Sequence, residues 1–217
     1  MLSQIRSNLS ESAATLIAVS KTQIVADILP LYEQAQRDFG ENKVQELLSK
    51  YEQMPKDIRW HFIGHLQSNK VKSIVPFVHL IHSVDSVDLL KTIDKQAFKV
   101  NKKVNILLQF HIASEESKFG FEPELFMDWM ASGAYLDFPN IAFCGVMGMA
   151  TFTDDQAQVR SEFQQLKTIF DRLRQNYFSK NPDFCEISMG MSDDYLVALE
   201  EGSTMIRIGS LLFGKRH

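Results

Sequence analysis

The stretch Leu16-Ile17-Ala18-Val19-Ser20-Lys21 is the starting point for predicting the fold, because it is a short apolar run that ends in a lysine. Such a run, followed by a helical pattern from Gln23 onward, predicts a buried strand that leads into a helix. In an α/β barrel the carboxyl end of each inner strand faces the place where sites are built. A lysine there can lose part of its hydration, lower its pKa and attack a carbonyl to form an imine. The alternative is an ordinary rim lysine whose stem packs while its ammonium stays in water.

Apolar runs alternate with helical patterns along the rest of the chain. Alternation of this kind predicts parallel pairing of the strands through right-handed crossovers. Eight such units predict a single-domain (β/α)8 TIM barrel over residues 1–217, and a doubly wound open sheet is the alternative α/β fold. The open sheet would carry a glycine-rich turn after its first strand, and Ser20-Lys21-Thr22 has no glycine. The predicted strands are 16–20, 37–40, 60–63, 79–84, 104–112, 141–147, 184–189 and 204–209.

Composition excludes several classes of function. The net charge is −4 and basic residues do not cluster, which argues against a nucleic-acid partner. Apolar stretches are too short to cross a membrane, and the first residues lack the layout of a signal peptide. Cys144 and Cys185 sit inside apolar runs, so we expect small core residues in a reducing cytoplasm rather than a disulfide.

Two segments near the end of the chain have the character of a phosphate cradle. Ser188-Met189-Gly190-Met191-Ser192 and Arg207-Ile208-Gly209-Ser210 each place a glycine and hydroxyl residues after an apolar run. Ser192 is the predicted N-cap of a following helix, where free N–H groups favour an anion. Barrels often bind phosphate on the loops after strands seven and eight. Ordinary strand-to-helix turns are the alternative, but a cradle combined with an imine-forming lysine is more specific than either feature alone.

The histidines do not predict a metal site. His61 and His65 are four residues apart, but Gly64 interrupts them and no carboxylate has a suitable spacing. A strand histidine with satisfied hydrogen bonds is the simpler interpretation of His61.

Six short motifs follow one another from about Leu16 to Gly214. They are Val19-Ser20-Lys21, Phe39-Gly40-Glu41-Asn42, Trp60-His61-Phe62-Ile63-Gly64, Leu66-Gln67-Ser68-Asn69-Lys70, Ser188-Met189-Gly190-Met191-Ser192 and Ile206-Arg207-Ile208-Gly209. In this order they resemble the YggS/PROSC family, the pyridoxal 5′-phosphate (PLP) homeostasis proteins. The resemblance implies a barrel like the N-terminal domain of alanine racemase. His65 is a local departure, because many members carry proline there.

The resemblance also implies roles for individual residues. Lys21 would hold PLP as a Schiff base, Arg207 would face the pyridine nitrogen, and Asn42 and His61 would lie near the cofactor ring. An arginine at that nitrogen stays charged and disfavours its protonation, whereas PLP enzymes that need a strong electron sink usually place an acid there. The phosphate would be wrapped, largely by backbone N–H groups, by Ser188, Gly190, Met191, Ser192, Gly209 and Ser210.

By the same resemblance, the chain is expected to be a cytoplasmic, monomeric protein. It would buffer PLP and related B6 vitamers, or deliver PLP to PLP-dependent apo-enzymes. The alternative is a small PLP-dependent amino-acid racemase with weak one-base activity, because related racemases take a tyrosine base from a second domain that we expect to be missing here. Of the five tyrosines, Tyr195 follows the predicted phosphate loop most closely. A lyase acting on a sugar phosphate is a third possibility, but it leaves most of the motifs unexplained.

Overall fold

The computed structural model describes residues 2–10, 12–115 and 119–214. Within them eight parallel strands close into a barrel in sequence order, with the last strand pairing with the first. The prediction of a (β/α)8 barrel is confirmed, and the open doubly wound sheet is excluded. The strands are β1 Thr15–Val19, β2 Asp38–Glu41, β3 Arg59–Phe62, β4 Leu80–Val84, β5 Val104–Gln109, β6 Ile141–Met147, β7 Glu186–Ser188 and β8 Met205–Ile208.

Helices cover the barrel from outside, and local side chains start two of the longer ones. Ser86 Oγ accepts a hydrogen bond from the Leu89 N–H at 3.3 Å, and Asp155 Oδ1 accepts from the Ala157 N–H at 2.9 Å. Such caps satisfy N–H groups that a helix start would otherwise leave unpaired. The helices are α1 Leu2–Leu9, α2 Val25–Glu33, α3 Val44–Gln53, α4 Val71–Ile74, α5 Val87–Lys99, α6 Pro123–Ala131, α7 Gln156–Asn176, α8 Tyr195–Glu200 and α9 Ser210–Phe213.

The strands separate two cores, as the period-two alternation of side chains requires. Leu16 and Ala18 belong to the core between barrel and helices, whereas Ile17 belongs to the core inside the barrel. Lys21 lies two residues beyond the end of β1. The apolar part of the inner core is formed by Ile17, Leu80, Leu107, Cys144, Met147 and Met205.

The two cysteines have different environments. Cys144 is buried inside the barrel, and burial raises the pKa of its thiol to about 11. Cys185 is exposed, so the prediction that both are core residues is wrong for Cys185. The reason is that Cys185 lies one residue before β7 begins at Glu186, where the chain is still entering the barrel from the surface. Both thiols are free.

Across the described residues, the helices lack the combination of length and apolar character that spanning a bilayer requires.

Gly145 in β6 allows a bulge that sets the register between β5 and β6. The register shifts between Ile106 and Leu107, and Gly145 opposite has a φ of +152°. A Cβ built on Gly145 would lie 1.8 Å from the Glu186 carbonyl oxygen in β7. This position therefore excludes every larger residue through both its backbone conformation and its contact with the next strand.

We expect Gly145→Ala to lower the free energy of unfolding by about 3 kcal/mol, because strain and overpacking act together. Urea unfolding followed by circular dichroism measures this loss. Gly133→Ala is the matched control, since Gly133 also has a positive φ of +78° but its Cβ would meet nothing within 4 Å. The control should lose only about 1 kcal/mol. Equal losses in the two variants would contradict a role for the contact with β7.

Candidate functional site

Lys21 and Asn42 leave neighbouring strands side by side at the carboxyl-terminal mouth of the barrel. Val19 of β1 is in register with Gly40 of β2, and the Ser20 N–H donates to the Gly40 carbonyl at 3.0 Å. Lys21 and Asn42 each follow that pair by two residues. Both are half-buried, so their side chains combine a packed stem with access to the mouth.

A buried ion pair holds the residue before Lys21. Lys50 of α3 lies 2.7 Å from Glu41 Oε1 and also donates to the Ser20 carbonyl at 2.7 Å. The Ser20 hydroxyl donates to the same Glu41 oxygen at 2.6 Å. Burial raises the pKa of Glu41, although the hydrogen bonds from Lys50 and Ser20 act in the opposite direction. These contacts fix the end of β1 at the point where Lys21 begins.

The residue after Lys21 is held from the same helix. Thr22 has a φ of +68°, in the left-handed region that a threonine rarely adopts. Its N–H donates to Glu46 Oε2 at 2.7 Å, which compensates for the strain. Since Glu46 and Lys50 both belong to α3, one helix fixes both neighbours of Lys21. Sequence reasoning missed these residues, because a glutamate and a lysine four apart are ordinary on a solvated helix face.

Asn42 presents an unsatisfied polar atom to the mouth. A Cβ on Gly64 would lie 2.2 Å from the Asn42 carbonyl oxygen, so the loop after β3 packs directly on this residue. The Asn42 Oδ1 atom is buried and has no hydrogen-bond partner. An acceptor left without a donor is costly in a protein interior. Asn42 also lines a cavity of about 230 Å³ together with Gln67 and Lys70.

The turns after β7 and β8 converge beside β1. Gly190 has a φ of +90°, and a Cβ there would lie 2.5 Å from the Ala198 Cβ. The Gly190 carbonyl accepts from the Arg207 N–H at 3.0 Å, which ties the two turns together. A Cβ on Gly209 would lie 3.3 Å from the Val19 carbonyl oxygen of β1. The structure therefore brings both predicted phosphate turns to the same side of the mouth as Lys21.

The turn after Gly190 differs in detail from its prediction. Helix α8 begins at Tyr195 and its N-cap is Asp194, so the prediction of Ser192 as the N-cap is wrong. The reason is a turn closed by Asp194, whose Oδ1 accepts from the Met191 N–H at 2.5 Å. Burial raises the pKa of the Asp194 carboxyl, which this N–H partly opposes. Ser192 lies half-buried within the turn, and Ser210, the first residue of α9, is exposed.

Arg207 lies inside the barrel below these turns. Its Nη1 donates to Ser188 Oγ at 2.7 Å and its Nη2 to the Gly148 carbonyl at 3.0 Å. Burial lowers the pKa of its guanidinium to about 10, with Asp194 opposing, so it remains charged at neutral pH. The Ser188 hydroxyl also contacts His82 Nδ1 at 2.9 Å. The structure thus places the Ser188 side chain in the interior beside Arg207, below the turn where a phosphate contact was predicted.

His61 is fully engaged within the barrel. It is 1% exposed, and its two ring nitrogens lie 3.0 Å from Asp38 Oδ1 and 2.9 Å from His82 Nε2. This is the geometry of a strand histidine with satisfied hydrogen bonds. Any effect of His61 on the mouth therefore passes through Asp38 or His82, the side chains that its ring nitrogens contact.

The tyrosines lie in the outer layer. Tyr195 accepts a hydrogen bond on its hydroxyl from Asn8 of α1 at 2.8 Å, and Tyr32 donates to Asp57 at 2.9 Å. Tyr51 stacks on a phenylalanine of the helical layer, and the other two, Tyr135 and Tyr177, pack edge to face against each other. None of these contacts involves Lys21, Asn42 or Arg207.

Metal chemistry finds no support in the part of the chain that is described, because no three His, Cys, Asp or Glu side chains there converge on a possible ion.

Known proteins match nearly the whole chain in sequence and in structure. The family model for the alanine racemase N-terminal domain matches residues 2–217. A pyridoxal phosphate homeostasis protein of Aquifex aeolicus is 40% identical over 212 residues, which cover 97% of this chain and 91% of that protein. PipY of Synechococcus elongatus PCC7942, solved with PLP bound, is 35% identical with a TM-score of 0.84 and 98% of each chain covered. An alanine racemase of Clostridium difficile 630 shares the fold alone, with a TM-score of 0.78 at 15% identity over 99% of this chain and 59% of that one.

The barrel and its mouth define a protein of the alanine racemase N-terminal class. Within that class, the identity to full-length relatives shows that the chain belongs to the family of pyridoxal phosphate homeostasis proteins. The resemblance predicted from six sequence motifs is confirmed.

The buried ion pair beside Lys21 has a testable electrostatic consequence. We expect Lys50→Met to lower the free energy of unfolding at pH 8 by about 3 kcal/mol, because it leaves Glu41 charged and unpaired in the interior. The loss should shrink as the pH falls toward 5. A carboxyl whose folded pKa lies above its ordinary value of 4.5 binds its proton more tightly in the folded state, so acid favours folding. Urea unfolding across this pH range measures both effects.

The double variant Glu41→Gln/Lys50→Met is the control for this prediction. It removes both charges, so the recovery of stability that Lys50→Met shows between pH 8 and pH 5 should be absent from it. Recovery at low pH that persists in the double variant would assign the effect to another group.

Proposed function

We propose that this chain binds PLP at the carboxyl-terminal mouth of the barrel, holds it as a Schiff base on Lys21, and buffers or delivers it in the cell. The observation that carries the proposal is the pairing of β1 with both β2 and β8, which brings Lys21, Asn42 and the turn after Arg207 to the carboxyl ends of neighbouring strands. Support also comes from the relatives, which are named pyridoxal phosphate homeostasis proteins, and from PipY, which was solved with PLP bound.

The residues of the mouth fit the chemistry of PLP. Bound PLP would supply an aldehyde, which a primary amine attacks reversibly to form an imine. Lys21 would provide that amine at a strand end. The carbon–nitrogen bond forms as one water leaves, and water returns when the cofactor is released. Gly190 and Gly209 allow the backbone to approach a phosphate closely, with Met191, Ser192 and Ser210 in the same turns. Asn42 Oδ1 supplies an acceptor for a polar atom of the ligand.

The charge of Arg207 favours a carrier over an enzyme. A guanidinium with a pKa of about 10 stays protonated at neutral pH and keeps a neighbouring ring nitrogen unprotonated. That arrangement weakens the ring as an electron sink, which racemisation requires. The five tyrosines also make their hydrogen bonds and ring contacts in the outer layer, so the described residues offer no tyrosine as a second base.

We further propose that the protein acts as a monomer in the cytoplasm and passes PLP and related B6 vitamers to PLP-dependent apo-enzymes. The exposed free thiol of Cys185 is consistent with a reducing compartment. Homologues of the same name occur in organisms as distant as Aquifex aeolicus and Homo sapiens, at 40% and 37% identity.

Absorption spectroscopy of the protein mixed with PLP tests the proposal. We expect an imine band in the unmodified protein, and after borohydride reduction a pyridoxyl mass on the peptide that contains Lys21. Lys21→Ala should lose the band and bind PLP at least about tenfold more weakly, which corresponds to about 1.4 kcal/mol. Lys72→Ala, which removes an exposed lysine of α4, is the matched control and should keep the band.

A pyridoxyl mass on another lysine, with Lys21→Ala still yellow, would refute the assignment of Lys21. Turnover of an amino acid at roughly 1 per second or faster would instead favour the racemase.

A further inference from the structure

A chain of hydrogen bonds crosses the barrel interior beneath the mouth. Asp38 Oδ1 lies 3.0 Å from His61 Nε2, and His61 Nδ1 lies 2.9 Å from His82 Nε2. His82 Nδ1 lies 2.9 Å from Ser188 Oγ, which lies 2.7 Å from Arg207 Nη1. All five residues are between 0% and 7% exposed. They come from β2, β3, β4, β7 and β8, and this hydrogen-bonded series of Asp38, His61, His82, Ser188 and Arg207 is the interior chain.

The two ends of the interior chain have fixed and opposite roles. Burial acts to raise the pKa of Asp38, but hydrogen bonds from His61 and Arg59 outweigh it and lower that pKa to about 2. Asp38 is therefore a carboxylate that can only accept. Arg207 can only donate, because its guanidinium remains protonated. A hydrogen-bonded chain with a pure acceptor at one end and a pure donor at the other runs in a single direction.

That direction determines the tautomer of each histidine. Because Asp38 accepts, neutral His61 carries its proton on Nε2 and leaves Nδ1 bare. The bare Nδ1 requires His82 to carry its proton on Nε2, so that His82 Nδ1 accepts the proton of the Ser188 hydroxyl. The Ser188 oxygen in turn accepts from Arg207. Each of the four links of the interior chain then joins one donor to one acceptor.

A doubly protonated His61 would reverse this order and break it. His82 would then have to donate through Nδ1 to Ser188 Oγ, which already accepts from Arg207. The Ser188 proton would lose its acceptor in the chain. Asp38 is also already neutralised by Arg59, whose Nε donates to it at 2.6 Å. Burial holds the pKa of His82 well below its ordinary value, and the charge of Arg207 acts in the same direction, so His82 stays neutral.

We propose that Asp38, His61 and His82 are positioning residues for the cofactor site: they orient the Ser188 hydroxyl, which holds one edge of the Arg207 guanidinium. The other edge is held by the Gly148 carbonyl. Without the interior chain the Ser188 hydroxyl is free to rotate and to point its proton toward Arg207, which removes one of the two holds. The proposal rests on the proposed function only in its last step, the action of Arg207 on PLP.

Nitrogen-15 NMR of the histidine rings in the protein without PLP tests the direction of the chain. At pH 7.5 we expect His61 and His82 both to be neutral and both to carry the proton on Nε2, since the chemical shift separates a protonated ring nitrogen from a bare one. An Nδ1–H tautomer for either residue, or an imidazolium at His61, would overturn the proposal. This measurement needs no variant and no cofactor.

Substitution of His82 tests the effect on the site. His82→Leu removes the acceptor for Ser188, so we expect PLP to bind about tenfold more weakly. His82→Asn can return an acceptor oxygen near the position of Nδ1, and we expect its affinity to lie within about threefold of the unmodified protein. His79→Asn is the matched control: its ring packs on His61 with centroids 5.2 Å apart but lies outside the interior chain, and its affinity should not change.

The outcomes separate the two proposals. If the unmodified protein forms no Lys21 imine with PLP, the proposed function fails, while the NMR result still decides the direction of the interior chain. If the imine forms and folded His82→Leu binds PLP as tightly as the unmodified protein, the positioning role is overturned. Equal weakening in His82→Leu and His82→Asn would also overturn it, because loss of packing alone would then explain the effect. If His82→Leu does not fold, the tautomers of the unmodified protein decide whether the proposal stands.

Discussion

The parallel pairing of β8 with β1 is the contact on which the site depends. It sets Ile17 beside Arg207 and Ala18 beside Ile208, and so joins the first strand to a segment almost two hundred residues later. Lys21 and Gly209 come together only because this pairing closes the barrel. An open sheet of the same strands would leave Lys21 and the two glycine turns after β7 and β8 at opposite edges. Closure also removes the sheet edges that would otherwise carry unpaired backbone groups.

The barrel interior holds both apolar and polar side chains. Ile17, Leu107 and Cys144 are among the apolar ones, whereas the interior chain crosses from β2 to β8. Burying this many polar groups is unfavourable unless every one is paired. The direction imposed by Asp38 and Arg207 meets that requirement without adding a charge on the histidines. The same requirement explains why Arg59 covers Asp38 at the start of β3.

Much of the fold was predictable from the sequence, because its strands are short apolar runs with helical patterns between them. The mouth was predictable from Lys21 and the two glycine turns, whose residue types are tied to their chemistry. The contacts that Glu46 and Lys50 make beside Lys21 were not predictable, since the pattern of an amphipathic helix does not show which of its polar residues reach a strand end. Ser192 was predicted as a helix cap because local patterns do not reveal that Asp194 closes the turn first. Hydrogen bonds between distant strands, such as His82 to Ser188, leave no local trace at all.

The balance between holding and activating a cofactor follows from how Arg207 is supported. A guanidinium that donates to Ser188 and to the Gly148 carbonyl has a fixed plane and a retained charge. Its burial lowers its pKa only to about 10, still far above neutrality, so the charge facing the site does not change under physiological conditions. Under the proposed function, this fixed positive charge would oppose proton gain at a neighbouring ring nitrogen and so oppose carbanion chemistry. It would leave untouched the exchange of water for the Lys21 amine at an aldehyde, the reaction that loading and unloading a carrier would require.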